Sequence, residues 1–225
     1  MKLSQADLTE GKILHFDKPY TWTSFQLVKK IKYLTKAKKV GHAGTLDPLA
    51  TGVLIICLGR ATKKIEELQK MPKVYTGIIR LGATTPCFDL EQEVDQEYPT
   101  EHITHEMIHE ATHQFVGEIQ QIPPAHSAVK VKGQRAYQIA RAGGTPEIKP
   151  KTVQIASFEI TEINLPDVHF KIVCGKGTYI RSIARDFGKA LDSGGHLTKL
   201  VREAIGNYTL DNAVEIDDLE IEGKV

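Results

Sequence analysis

Gly41-His42-Ala43-Gly44-Thr45-Leu46-Asp47-Pro48-Leu49-Ala50-Thr51-Gly52 runs directly into Val53-Leu54-Ile55-Ile56-Cys57-Leu58. The second part is an unbroken apolar run, the pattern of a strand buried on both faces. The first part concentrates glycine, threonine, histidine, aspartate and proline just ahead of it. Glycines let a backbone turn sharply or approach a ligand closely, and a buried strand gives such a loop a rigid base. Asp47 precedes Pro48, which biases it toward an extended conformation able to aim its carboxylate outward. On its chemistry alone Asp47 reads equally well as a functional carboxylate and as a loop acid bonding nearby amides.

Outward from this loop, the pattern predicts a strand in Lys12–Pro19 and a helix from Phe25 to about Leu34. Ser24 is the expected cap, and Leu27, Ile31 and Leu34 form the apolar stripe. Downstream, Ala61–Leu68 reads as a short helix, Val74–Leu81 as a strand and His102–Phe115 as a helix. Strands are expected at Glu118–Ile122 and Ala128–Val131 around the Pro123-Pro124 break, and a short helix at Arg135–Arg141 before Gly143-Gly144. Val153–Ile163 and Val168–Cys174 read as strands, the second alternating cleanly through Val168, Phe170, Ile172 and Cys174. Tyr179–Leu191 carries the strongest helical stripe: Ile180, Ile183, Ala184, Phe187 and Leu191. Strands and helices mix without regular βα alternation, so the expected class is α+β, a central mixed or antiparallel sheet flanked by helices.

The chain has 225 residues, 41% hydrophobic and 25% charged, a globular composition. No stretch reaches the ~18 uninterrupted apolar residues of a membrane helix, and the opening MKLSQADLTEGK lacks the apolar core of a secretory signal. Cys57, Cys87 and Cys174 form no CxxC pair and fit free thiols in a reducing compartment, so a cytoplasmic location is expected. The net charge of +1 hides a segregation. Lys29, Lys30, Lys32, Lys36, Lys38 and Lys39 fall together without an acid among them, and Lys130, Lys132, Arg135, Arg141, Lys149 and Lys151 form a second run. Such patches create local fields that attract phosphates, although a solvated lysine face is the commoner meaning of any one run.

GHAGTLDPLATGVL closely resembles the catalytic motif of the TruB family of tRNA pseudouridine synthases. DKPYTWTSFQLV resembles that family's opening motif, and VYTGIIRLGATT followed by Asp89 its second. QIPPAHSAVKVKGQRAYQIARAGG is similar to its RNA-gripping insertion, and GKGTYIRSIARDFG to its late motif. These five segments stand in order, and the resemblance spans roughly residues 11–208.

The resemblance implies the pseudouridine synthase catalytic fold over residues 1–225, with an RNA-gripping insertion at about 121–151. It implies isomerisation of uridine 55 in the TΨC loop of tRNA without cofactor or metal: uracil leaves ribose C1′, rotates and rejoins through C5. By motif position Asp47 is the nucleophile; attack on base C6 and attack on ribose C1′ both remain open. Arg181 matches the arginine that pairs with the nucleophile, and a neighbouring cation keeps a carboxylate ionised. Tyr75 matches the active-site tyrosine that stacks on the base and lies where C5 loses its proton. Tyr179 and Leu200 match residues lining the uracil pocket, and His42 one that stacks in the RNA loop. Asp89 is a further candidate for arranging the tyrosine and RNA contacts. Lys130 and Arg141 offer cations to the RNA, whose target base must be flipped from its stack at a cost of a few kcal/mol. The expected partner is the TΨC arm of tRNA, bound by a monomer with no membrane and no obligatory protein partner.

This chain departs from the family's pattern at His126, where a tyrosine is usual, and at LVRE, where only Arg202 keeps the basic character. Few residues follow Tyr208, and many of them are acidic, so a chain without a C-terminal RNA-binding module is expected. Two rival readings accompany the enzyme: a tRNA-remodelling protein that needs no catalysis, and a zinc hydrolase built on His105-Glu106-Met107-Ile108-His109, an HExxH match. Against the latter, Glu110 stands where such helices continue with an apolar residue, and the pattern reads better as a solvated helix face.

Overall fold

The computed structural model describes residues 2–222. Its principal elements are β1 (Ile13–Lys18), α1 (Ser24–Thr35), β2 (Val40–His42), β3 (Ala50–Leu58), α2 (Ile65–Lys70) and β4 (Lys73–Leu81). They continue with α3 (His105–Thr112), β5 (Gly117–Gln121), α4 (Ala136–Arg141), β6 (Lys151–Asn164), β7 (Asp167–Cys174), α5 (Ile180–Ala190) and β8 (Gly195–Ile205). The class is α+β, as expected. The chain forms two compact units, Met1–Tyr75 with Leu200–Val225, and Thr76–Lys199. The outer limits expected for the catalytic domain, Met1 and Val225, lie outside the described residues.

In the first unit β3 is the central strand. β1 pairs with it antiparallel from Ile13↔Cys57 to Lys18↔Gly52, and β2 antiparallel from Val40↔Leu58 to His42↔Ile56. The end of β8 pairs with it in parallel, Leu200↔Ala50 to Arg202↔Gly52, so the sheet is mixed. The apolar run of β3 explains this position. Leu54, Ile56 and Leu58 face a cluster with Leu14, Phe16, Leu27 and Ile31, while Val53, Ile55 and Cys57 face Ala43, Leu68 and Ile205. Each fully buried Leu or Ile contributes roughly 1.5–3 kcal/mol of hydrophobic stabilisation, and only a strand covered on both faces buries all six.

Helix α1 lays Ser24, Leu27, Ile31 and Thr35 inward. Its cap is Thr23, not Ser24: the Thr23 hydroxyl accepts from the Gln26 amide at 3.1 Å, and the Gln26 side chain accepts from the Thr23 amide at 2.7 Å. Two adjacent hydroxyls compete for the capping position, and the reciprocal box with Gln26 decides it. The helix ends at Lys36, whose φ of 57° is left-handed and whose amide still reaches the Lys32 carbonyl.

In the second unit the long β6 runs antiparallel to both β5 and β7. Every second residue of β7 (Val168, Phe170, Ile172, Cys174) is buried, as its alternation predicts. Phe115, Phe158, Phe170 and Phe187 meet edge-on or tilted at 5.3–6.2 Å between ring centres, joining this sheet to α5. Two expected elements differ. The segment before α2 is a 3-10 turn over Gly59–Lys64, opening at Gly59 with φ 52° and with no side-chain cap. The strand expected at Ala128–Val131 shrinks to Lys130–Val131, folded onto Gln134–Arg135 through a tight turn with positive φ at Lys132 and Gly133.

Candidate active site

The loop between β2 and β3 is braced from several sides, all within the first unit. Its carboxyl end is tied by Gly52, whose amide donates to Asp17 Oδ1 at 2.9 Å; Gly52 sits at φ 99°, a backbone that side chains rarely adopt. At its middle, the Ser24 hydroxyl donates to the Leu46 carbonyl at 3.1 Å and accepts from the Leu46 amide at 2.8 Å. Freed from capping, Ser24 fastens the start of α1 to the residue before Asp47. The Ala50 amide donates to the Asp47 carbonyl at 3.1 Å, closing a turn around Pro48. Asp47 itself is half-buried.

Two buried cations complete the brace. Lys18 is fully buried and its ammonium donates to the carbonyls of Pro19 (2.7 Å), Trp22 (2.6 Å) and Pro48 (3.2 Å). Burial brings its pKa down to about 8, with Asp47 and Asp17 holding it up and Arg202 adding to the fall. Arg202, 1% exposed, donates to the carbonyls of Val53 (2.7 Å), Gly44 (3.0 Å) and Thr45 (3.3 Å) and approaches the Tyr75 hydroxyl at 3.5 Å. Neither cation is assigned a role by the sequence alone. A charged residue in a strand is ordinarily exposed, and carbonyl acceptors leave no trace in residue identity. The only available signal for Lys18 was its place between Asp17 and Pro19 in the opening motif.

Of the residues expected to act, His42, Asp47, Tyr75 and Leu200 belong to the first unit. Tyr75 and Leu200 are buried, and Leu200 stands opposite Ala50 in the parallel ladder just past the loop. His42 is half-buried; burial first, then Arg202, holds its imidazole below the usual histidine range, with the Gly44 backbone pulling the other way.

Asp89, Lys130, Arg141, Tyr179 and Arg181 belong to the second unit. Arg181, in the first turn of α5, is 4% exposed; its Nε lies 3.6 Å from Asp89 Oδ2. Its terminal nitrogens donate to the Cys87 carbonyl (3.1 Å) and the His126 carbonyl (3.0 Å). The departure at His126 is therefore neutral for this contact, because the main chain makes it. Asp89 is anchored in turn: Oδ1 accepts from the Glu91 amide at 3.0 Å, and its carbonyl accepts from Thr85 at 2.7 Å. Tyr179 is positioned by Gln121, whose buried amide accepts from the Tyr179 N–H (2.8 Å) and donates to its carbonyl (3.1 Å). Ser182 adds a bond to the Ile122 carbonyl, so the start of α5 is fixed on the end of β5. Lys130 and Arg141 are exposed, with the Arg141 guanidinium 5.5 Å from the Tyr137 ring centre.

The lysine run on α1 also faces solvent: Lys29, Lys32, Tyr33, Lys36 and Ala37 line an open cleft of about 370 Å³, with the Lys36 ammonium 4.1 Å from the Tyr33 ring centre. On α3, His105, Glu106 and His109 are exposed, and no group of three metal-ligating side chains forms among the described residues. No helix of the described residues is long and apolar enough to cross a membrane.

The fold has solved counterparts. A Cbf5–Nop10–Gar1 complex matches with a TM-score of 0.73 at 29% identity, covering 95% of this chain and 54% of that one. An H/ACA ribonucleoprotein bound to a substrate RNA containing 2′-deoxyuridine matches at 0.68 and 26%, covering 92% of this chain and 51% of that one. This chain thus spans about half the length of those structures, and the fold is that of the pseudouridine synthases. A family model described as TruB family pseudouridylate synthase (N terminal domain) matches residues 32–180. Relatives named tRNA pseudouridine synthase B are 55% identical over 214 residues in Phocaeicola vulgatus (92% of this chain, 91% of the relative) and 56% over 221 residues in Parabacteroides distasonis (94% of each). The chain belongs to the TruB family of pseudouridylate synthases.

Proposed function

We propose that this protein converts uridine to pseudouridine in tRNA, at position 55 of the TΨC loop, with the whole chain working as one catalytic domain. The observation that carries the reading is the braced loop 41–52: a half-buried aspartate whose flanking carbonyls are held by two buried cations. An enzyme reaching into a flipped nucleotide needs its nucleophile held in one pose before the base arrives, because orientation is part of the rate. The matching length of the relatives named tRNA pseudouridine synthase B supports the substrate class.

In this reading Asp47 forms a covalent bond to the nucleotide and then leaves. The N1–C1′ bond breaks, the base turns, and a C5–C1′ bond forms; C5 loses a proton and N1 gains one, so the reaction is an isomerisation that consumes nothing. Tyr75 stacks on the base and lies near the departing proton, with Tyr179 and Leu200 bounding the uracil and His42 stacking in the opened loop. Arg181, fixed by Asp89 and two carbonyls, supplies a cation whose orientation does not have to be found during the reaction. Lys130 and Arg141, in the insertion at 121–151, grip the arm from which the base is flipped. The protein acts as a cytoplasmic monomer without metal, cofactor or obligatory protein partner.

The test is incubation with unmodified tRNA followed by mapping of pseudouridine, for wild type and Asp47→Asn. Product at position 55 from wild type alone, with tRNA binding retained in the variant, is the expected result. A variant that still isomerises uridine would remove Asp47 as nucleophile, and a wild type that binds tRNA but makes no product would favour the remodelling role.

A further inference from the structure

Arg202 is only 1% exposed, yet carries a permanent charge. Every hydrogen bond of its guanidinium among the described residues goes to a main-chain carbonyl or to the Tyr75 hydroxyl. Taking a charge out of water is costly, and a sheet position with this burial is filled at lower cost by an apolar residue. What distinguishes the position is its acceptors. Gly44 and Thr45 lie just before Asp47, and Val53 lies just after the loop closes. One planar fork therefore spans both ends of the segment that carries the carboxylate. Gly44 can turn its carbonyl inward because its φ of 96° is open to glycine.

The anchoring of Arg202 itself is rigid. It stands opposite Gly52 in the parallel ladder, two residues beyond Leu200, and the same ladder sets the exit of the loop. Its reach to Tyr75, at 3.5 Å, adds a side chain from a third strand to the same fork.

We infer that Arg202 is a positioning residue for the isomerisation: it holds both ends of the Asp47 loop and steadies the Tyr75 hydroxyl, so that carboxylate and phenol keep one relative pose. The inference rests on the reading of the chain as a pseudouridine synthase. Its action is indirect, since it touches the loop main chain and a side chain rather than the base. Lysine at this position keeps the charge but loses the fork, because an ammonium is a point donor whose three protons do not match carbonyls spread across a plane.

The experiment measures single-turnover pseudouridine formation and tRNA affinity for wild type, Arg202→Lys and Arg202→Met, with thermal melting of each free protein. A displacement of about 1 Å in a reacting group can cost ~10²-fold. Arg202→Lys is therefore expected to slow the chemical step by roughly 10- to 100-fold and Arg202→Met by more, with tRNA affinity within about twofold of wild type. The lysine variant is expected to remain fully folded at the assay temperature. A lysine variant at the wild-type rate overturns the proposal. So does weakened tRNA binding with an unchanged chemical step, or a rate loss that only tracks the unfolded fraction. A wild type that makes no pseudouridine refutes the enzymatic reading itself, and this inference with it; product from wild type with no effect of the substitutions refutes this inference alone.

Discussion

Replacing Ser24 by alanine tests whether the start of α1 sets the pose of the Asp47 loop. The hydroxyl makes two bonds to Leu46, at 2.8 and 3.1 Å, and both residues are buried, Ser24 at 2% and Leu46 at 4% exposure. Alanine leaves a main-chain donor and a main-chain acceptor unpartnered where water has little access. Each such group costs about 1–3 kcal/mol, so the expected loss is roughly 2–6 kcal/mol. For a chain of this size that lowers the melting midpoint by roughly 4–24 °C. The rate should fall at least tenfold at a temperature where the variant is folded, because the residue next to Asp47 has lost its tie. Thr23→Ala is the control: it removes the helix cap, costs about 1 kcal/mol, and leaves the loop bonds intact. Calorimetry and single-turnover assays on both variants decide the matter. A Ser24→Ala protein that melts with wild type, or that loses no more rate than Thr23→Ala, refutes the reasoning.

Asp89→Asn removes the carboxylate 3.6 Å from the buried Arg181 guanidinium while the bonds to the Cys87 and His126 carbonyls stay; breaking a buried pair costs ~3–5 kcal/mol, an upper figure here because those carbonyls remain, and an unchanged denaturation midpoint would show that the 3.6 Å contact carries no weight. Burial holds His15, His42 and His126 below the usual histidine value of 6.5, so as pH falls each takes up its proton later in the folded chain than in the unfolded one. Their contribution to stability is complete above pH 6.5 and is lost as pH falls below it; His15→Phe should flatten the fall in melting temperature between pH 7 and 5, and an identical slope would exclude His15 as a source. Charge removal at Lys130 or Arg141 should weaken tRNA binding and reduce the salt dependence of log K by about one unit each; titration at several salt concentrations with an unchanged slope would take these residues off the RNA.

The pattern of apolar residues determined most of the elements. The run Val53–Leu58 could be satisfied only by a strand covered on both faces, and the alternation of Val168–Cys174 only by a strand covered on one. The order of motifs was enough for family membership and for naming Asp47, Tyr75 and Arg181 as candidates, since residue type at a motif position is a property of the chain alone. What only the tertiary structure decided is how the loop around Asp47 is held. Ser24 could cap a helix or hold a loop, and the competition with Thr23 is settled by the neighbouring Gln26 and by Leu46, 22 residues away. The sequence assigns no role to Lys18 or Arg202, because their partners are carbonyls, which every residue possesses and none advertises. A main-chain acceptor becomes specific only when folding points it at a buried cation, and that direction is written in the ladders β3 forms with β1 and β8 rather than in any local stretch of residues.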